Sequence, residues 1–377
     1  MSEFHEKSKY PLHIIGTDET KILSEKIVSK LNKNLSIDIP KGILNVIEKN
    51  MMQINKSLNC EIITINGAFE VSKEIIGYDK FANEETKIVF NESVRGKHVY
   101  LVCDVNGKIN SSKTTFNDKL QQAQLILHTA KKHGAKTINV IFTCFPYSRQ
   151  DKPTQAGLKD RAKREASSTQ FVVEILEMLG IDYCITIDIH NTATTNAFKQ
   201  TNFVNLYTGW FVQEVINKIN KSDIVLSGTD EGCIKKTEAI CKDLKLKNIV
   251  VLKTRDYSQK SVVTESRIFG DIEGKNVVIH DDILDTGGSL VSLIEEMKKK
   301  NPTSINIAIT HGRFNDNAIE KLTKIHDEGM FENIYVTNTV YRENLPDFVK
   351  VVDASNIFAN TITSIFQGES INYNNNK

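Results

Sequence analysis

The sequence predicts an α/β protein built from two doubly wound domains with mainly parallel sheets. Strand-like apolar runs alternate with amphipathic helical stretches along most of the chain. Several of the apolar runs are continuous, as parallel strands covered on both faces require. The length of 377 residues, 40% of them hydrophobic, is enough for two cores.

In chain order, strands are expected at His98–Cys103, Thr137–Thr143, Tyr183–Ile189, Asp223–Ser227, Asn248–Lys253, Val277–His280, Ser304–Thr310 and Asn333–Thr337. Helices are expected at Asp118–His133, Ser167–Leu179, Trp210–Asn220, Lys235–Leu244 and Leu290–Lys300. Leu120, Ala123, Leu127 and Ala130 keep one face of the first helix apolar. In the last helix, Leu290, Leu293, Ile294 and Met297 fall at i, i+3, i+4 and i+7, and Lys298 to Lys300 complement the dipole at its C-terminal end. The asparagine-rich tail, 372–377, is expected to fray.

Composition narrows the class. Charge is balanced, with 48 basic against 47 acidic residues, so there is no electrostatic case for nucleic acid. The N-terminus has no apolar core of signal-peptide length, and no apolar run approaches the roughly 18 residues of a spanning helix, which predicts a cytoplasmic protein with no membrane partner. Cysteines 60, 103, 144, 184, 233 and 241 form no CxxC pair, as expected of free thiols in a reducing compartment. The eight arginines (95, 149, 161, 164, 255, 267, 313, 342) are few against the lysines, so an arginine here marks a place where the guanidinium fork matters.

The most informative stretch is NVVIHDDILDTGGS, 276–289, which reads as strand, loop and helix start. Gly287 and Gly288 let backbone N–H groups crowd a phosphate, and the helix N-terminus adds a favourable field. The hydroxyls of Thr286 and Ser289 can donate to the same phosphate. Asp281 and Asp282 suit a diol such as the ribose 2- and 3-hydroxyls, and Asp285 adds a third acid. The segment is suited to a sugar phosphate.

Four more motifs sit at expected strand ends. In CFPYSRQDK, Cys144 to Lys152, Phe145 or Tyr147 suits stacking on a base, while Arg149 and Gln150 suit polar groups of a nucleotide. Asp188 and His190 are two apart, so strand alternation places both on one side, where they can share a metal. Gly228 to Gly232 is a second acidic loop, with Asp230 as an oxygen ligand for Mg²⁺. Lys253 and Arg255 are also two apart at a strand end, and two cations facing one way suit a migrating phosphoryl group between them.

The set resembles the ribose-phosphate diphosphokinase, or phosphoribosyl pyrophosphate (PRPP) synthetase, family. LHIIGTDETKILSEKIVSKL, KFANEETKIVFNESVRGKHVYLV, CFPYSRQDK, DIHN, NLY, KTRD, the loop 281–289, THGRF, VTNTV and QGESINY follow in family order. The resemblance implies transfer of a diphosphoryl group from Mg·ATP to the 1-hydroxyl of ribose 5-phosphate, giving PRPP and AMP. It implies two tandem phosphoribosyltransferase-type (type I) domains: an ATP-side domain over 1–206 with an insertion at about 31–75, and a ribose 5-phosphate domain over 207–367. The tail, 368–377, is expected to return to the first domain.

By the same resemblance Phe81, Asn83, Glu85, Arg149, Gln150 and His190 hold ATP, and His190 and Asp230 are metal ligands. Lys253 and Arg255 stabilise the transferring group. Asp230, Asp281, Asp282, Asp285, Thr286, Gly287, Gly288 and Ser289 hold ribose 5-phosphate. Ser93, Arg95, Arg164 and Ser370 match an anion site between subunits at which phosphate activates and ADP inhibits, in a homo-oligomer that the family builds as a hexamer of dimers.

The chain departs from the family in several places. Glu231-Gly232-Cys233 stand where a small, glycine-rich turn is usual; Val204 replaces an acid before NLY; His280 replaces an apolar residue; Ser289 replaces threonine but keeps the hydroxyl. The linker 153–164 matches the family's flexible active-site loop poorly. A non-catalytic regulatory subunit would have lost acids or glycines of the loop 281–289, and a phosphoribosyltransferase would not need the ATP-type motifs; neither fits as well as an active diphosphokinase.

Overall fold

The computed structural model describes residues 11–35, 71–77, 79–151, 165–256 and 262–371, with side chains undescribed at 79 and 253–265. Arg164, most of the expected insertion, the linker 153–164, Cys60, the end of the tail and the side chains of Lys253 and Arg255 lie outside that description.

Continuous apolar runs become parallel strands covered on both faces, because only that arrangement removes both sides of such a run from water. The first sheet has the order β2-β1-β5-β6-β7-β8, from β1 (Leu12–Thr17), β2 (Val71–Ile76), β5 (His98–Cys103), β6 (Thr137–Phe142), β7 (Tyr183–Ile187) and β8 (Asn202–Leu206). Every pairing in it is parallel. A two-stranded hairpin, β3 (Asp79–Lys80) and β4 (Thr86–Lys87), stands apart from it.

Helices α2 (Phe116–Lys132) and α3 (Ser168–Leu179) cover one face, burying Leu120, Ala123, Leu127 and Ala130 from the former and Val172, Val173 and Leu176 from the latter. Helix α2 starts at Thr115, whose hydroxyl accepts from the Asp118 N–H at 3.2 Å while the Asp118 carboxylate accepts the Thr115 N–H at 2.9 Å. This capping box is expected to be worth about 1 kcal/mol, so Thr115→Ala should lower the urea midpoint by that much at unchanged slope.

The second sheet has the order β11-β10-β9-β12-β13-β14-β15. Its strands are β9 (Ile224–Gly228), β10 (Lys247–Asp256), β11 (Val262–Phe269), β12 (Asn276–Leu284), β13 (Ser304–Gly312), β14 (Ile334–Thr337) and β15 (Val349–Val352). Only β10–β11 is antiparallel. Helices α4 (Gly209–Ile219) and α5 (Ile234–Leu244) cover one face; α6 (Gly288–Lys298) and α7 (Ala318–Asp327) pack in a core on the other. Among the described residues, no helix is long and apolar enough to cross a membrane.

Three expectations change. Helix α1 (Lys21–Asn34) and β2 enclose the expected insertion, so the ends of 31–75 belong to regular elements and the described part of it is β-sheet edge and helix. The last helix, α8 (Ser355–Gln367), lies against α1 and buries Ile357, Phe358 and Ile362 with Ile14, Leu23 and Ile27 of the first half. The return to the first domain therefore begins near Ala354 and not at 368. Finally, β12 runs past His280 to Leu284, so both aspartates of the sugar-phosphate motif lie within the strand.

Candidate active site

Polar residues at the carboxyl ends of strands from the two sheets meet, His190 after β7 with Asp282 of β12 and Asp188 with Thr310 of β13, and such strand ends are where doubly wound sheets bind ligands. In the sugar-phosphate loop, Gly287 is the N-cap of α6 at φ +76°, a left-handed conformation that favours glycine. A Cβ added at Gly288 would meet nothing within 4 Å, so the helix start is open to an incoming anion. Thr286 and Ser289 are exposed beside it.

The two strand aspartates turn apart, as neighbours in a strand do. Asp281 accepts from Thr229 Oγ1 at 2.6 Å and from Cys233 Sγ at 3.3 Å. Burial, then the neighbouring Asp282, push its carboxyl well up. Asp282 lies 2.8 Å from His190 Nδ1. Burial alone would raise Asp282, but the hydrogen bond from His190 and the charge of Lys236 outweigh it and hold the carboxylate well below its usual range. Asp285 accepts from Arg149 Nη1 at 2.5 Å and from Asn315 Nδ2 at 2.6 Å.

His190 and Arg149 come from the first half and Asp282 and Asp285 from the second, so residues expected to hold two different substrates are in contact. The hydrogen bond it donates to Asp282 raises the His190 imidazole above its ordinary value. A raised imidazole gives stability that is complete below the unfolded value, about 6.5, and is lost as pH rises through the folded one. His190→Asn should therefore remove a falling limb from the dependence of Tm on pH above about 6.5, measured without added metal. His190 is 42% exposed, so the limb should be shallow.

The expected pairing of Asp188 with His190 on one metal is not what the structure shows. Strand β7 ends at Ile187, and Asp188 takes a left-handed conformation, φ +51°, which breaks the alternation that would align the two. Asp188 is buried and receives Lys236 Nζ at 2.6 Å and Thr310 Oγ1 at 2.5 Å. Burial raises this carboxyl, but Lys236 more than compensates and the net shift is downward. Lys236 is itself held high by Asp188 and Asp282 against its burial. It went unnoticed in the sequence because one lysine of KK in an amphipathic helix carries no local sign of burial.

Phe145 does not meet a base. It is 1% exposed, packed edge-on against Phe142 and Phe203 in the first core. Tyr147 donates its hydroxyl to Asn117 at 2.7 Å and lies edge-on to Phe116, while Gln150 accepts from Ser168 Oγ at 2.6 Å. Phe81, Asn83 and Glu85 are exposed on the β3–β4 hairpin, where Lys80 reaches Asp118 at 3.6 Å. No hydrogen bond or ion pair joins that hairpin to Arg149 or Gln150 among the described residues. Asp230 accepts from the Gly232 N–H at 3.0 Å and so caps the short turn after β9. Among the described residues, no three His, Cys, Asp or Glu gather as a metal cage.

The remaining departures have structural settings. Val204 is buried in β8 beside Ile185, an apolar position in the core that α1 and α8 share. His280 is fully buried with Nδ1 2.9 Å from the Ala308 carbonyl, and burial lowers its pKa. Ser93 and Arg95 are exposed neighbours, the Arg95 N–H lying 3.4 Å from Ser93 Oγ; Ser370 is exposed after α8.

Residues 12–180 match the profile of the N-terminal domain of ribose phosphate pyrophosphokinase, and residues 195–343 match that of the phosphoribosyl transferase domain. The chain belongs to the ribose-phosphate pyrophosphokinase family. The ribose-phosphate pyrophosphokinase of Campylobacter jejuni is 28% identical over 297 residues, covering 78% of this chain and 89% of that protein. That of Mycoplasma genitalium is 26% identical over 334 residues, covering 87% of this chain and 92% of its own. A crystal structure of phosphoribosylpyrophosphate synthetase from Mycobacterium smegmatis superposes with a TM-score of 0.71 over 95% of this chain and 99% of that one, at 22% identity, and so shares the fold. The pyrophosphokinase architecture, two phosphoribosyltransferase-type domains with mainly parallel sheets, is the one described above.

Proposed function

We propose that the chain transfers the diphosphoryl group of Mg·ATP to the 1-hydroxyl of ribose 5-phosphate, giving PRPP and AMP for nucleotide synthesis in the cytoplasm. One observation carries this reading: the sugar-phosphate loop meets residues of the nucleotide half directly, through His190–Asp282 at 2.8 Å and Arg149–Asp285 at 2.5 Å. Two substrates bound on those elements would be neighbours.

The chemistry follows from placement. Gly287, Gly288, Thr286 and Ser289 at the start of α6 hold the 5-phosphate, and Asp281 and Asp282 take the ribose hydroxyls. The sugar's O1 forms a bond to the β-phosphorus. The bridge from that phosphorus to the α-phosphate breaks, its electron pair staying on AMP. The proton of O1 passes to solvent or to phosphate, so no covalent protein intermediate is needed.

Lys253 and Arg255 lie on β10 where that strand has left β9, with which it pairs only at Lys247–Ile249, and continues with β11 alone. The ladder shifts register between Thr254 and Arg255, where the extra residue is on β11. On this reading both cations serve the charge of the transferring group.

Asp230 and His190 are proposed as the protein groups beside a magnesium ion that is carried chiefly by nucleotide phosphates, with Asp230 supplying the carboxylate such an ion takes. When bound, it would neutralise phosphate charge. Ser93, Arg95, Arg164 and Ser370 are proposed as a phosphate site at a contact between copies of the chain in a homo-oligomer. Retention of Asp281, Asp282, Asp285, Gly287 and Gly288 supports catalysis over a purely regulatory role. The test is to incubate the purified protein with Mg²⁺, ATP and ribose 5-phosphate, with and without inorganic phosphate. AMP should form only when the sugar is present; none under either condition would rule the reaction out.

A further inference from the structure

Arg313 follows the last residue of β13 and lies beside the sugar-phosphate loop, its N–H donating to the Leu284 carbonyl at 2.9 Å, one residue before Asp285. Its side chain crosses to the first half, where Nη2 lies 3.3 Å from Cys144 Sγ. Nε is buried and has no hydrogen-bond partner among the described residues. No carboxylate lies within ion-pair distance of this guanidinium among the described residues. Asp282 and Asp285, whose charges reach it, are engaged by His190 and Arg149.

A largely buried guanidinium whose acceptor is a cysteine sulfur, shared with His311, is costly, because sulfur accepts weakly even where His311 and Arg313 draw its pKa down against burial, and oxygen anions accept better. The arrangement is nevertheless held firmly. Arg342 donates from Nε to the Arg313 carbonyl at 2.5 Å and from Nη1 to the Asn106 carbonyl at 2.6 Å, tying both halves together at this point.

We propose that Arg313 is a binding residue for the diphosphoryl group, exchanging the Cys144 thiol for phosphate oxygens when substrate enters. The assignment rests on the diphosphoryl-transfer reading above. The 5-phosphate of the sugar has the amides and helix start at Gly287 and Gly288. Arg313 reaches away from that cradle toward Cys144, on the nucleotide side, and its planar fork suits two phosphate oxygens at once. Arg342 acts as a positioning residue that fixes the Arg313 backbone.

The test is calorimetric titration of the full chain with inorganic diphosphate and, separately, with ribose 5-phosphate. Arg313→Met should weaken diphosphate binding about 10- to 100-fold, the range for losing a charged hydrogen bond, and leave ribose 5-phosphate within about twofold. Cys144→Ala should keep diphosphate affinity, since the thiol is only a placeholder. Arg313→Lys, which keeps charge and loses the fork, should fall between, and decides the matter if the methionine variant does not fold. Unchanged diphosphate affinity in the Arg313 variants, equal loss for both ligands, or an equal loss in Cys144→Ala would overturn the proposal. Neither titration needs turnover, so a protein that makes no PRPP yet loses diphosphate on Arg313→Met would contradict the reaction and leave this site standing.

Discussion

Lys253→Ala is expected to lower turnover about 10²- to 10³-fold while ATP affinity changes little, the signature of a group whose contact strengthens only as charge develops. The motivating observations are its place two residues from Arg255 and its position on the part of β10 that has left β9 and pairs with β11 alone. Pre-steady-state measurement of AMP release, paired with nucleotide titration, separates the two contributions. Equal losses in ATP affinity and turnover would make Lys253 a ground-state binding residue.

The second large effect is on stability. Lys236→Met should destabilise the protein by about 3 kcal/mol, the lower part of the range for stripping one partner from a buried ion pair, because Asp188 is left charged and buried. The lower part of the range applies since the Lys236 side chain is 24% exposed. Adding Asp188→Asn to the variant should recover much of the loss, since the uncompensated charge is then gone. Denaturant unfolding of both single variants and the double variant gives the coupling. A loss under about 0.5 kcal/mol in Lys236→Met would mean that water solvates the pair and that it does not tie the halves together.

What the sequence disclosed depended on how local each signal was. The loop from Asp285 to Ser289 was readable because its glycines and hydroxyls act within a few residues, and the structure puts Gly287 at the left-handed cap and starts α6 at Gly288. The apolar faces of α2 and α6 were readable from periodicity alone. By contrast, Lys236 finds Asp188 across 48 positions of sequence, and nothing near either residue announces the pair. The Asp188–His190 spacing misled because it assumed that the strand continued, whereas a positive φ at Asp188 ends the alternation. Phe145 misled because an aromatic after a strand is equally suited to a base and to a core.

Helices α7 and α8 were not foreseen, and α8 returns to α1 through contacts between residues more than 300 apart, such as Asn34 with Asn360. Nothing local in the sequence marked Arg313 and Arg342 for their places between the halves. Arg313 reaches the first half through Nη2 alone, whereas Arg342 joins the Arg313 and Asn106 carbonyls through Nε and Nη1.

In the proposed reaction a diphosphoryl group moves intact to the sugar. Phosphorus NMR of the protein with Mg²⁺, ATP and ribose 5-phosphate tests it most directly. AMP and PRPP should rise together in equal amounts, with no ADP and no inorganic phosphate at early times. ADP with a phosphorylated sugar in place of AMP, or ATP loss independent of ribose 5-phosphate, would contradict it.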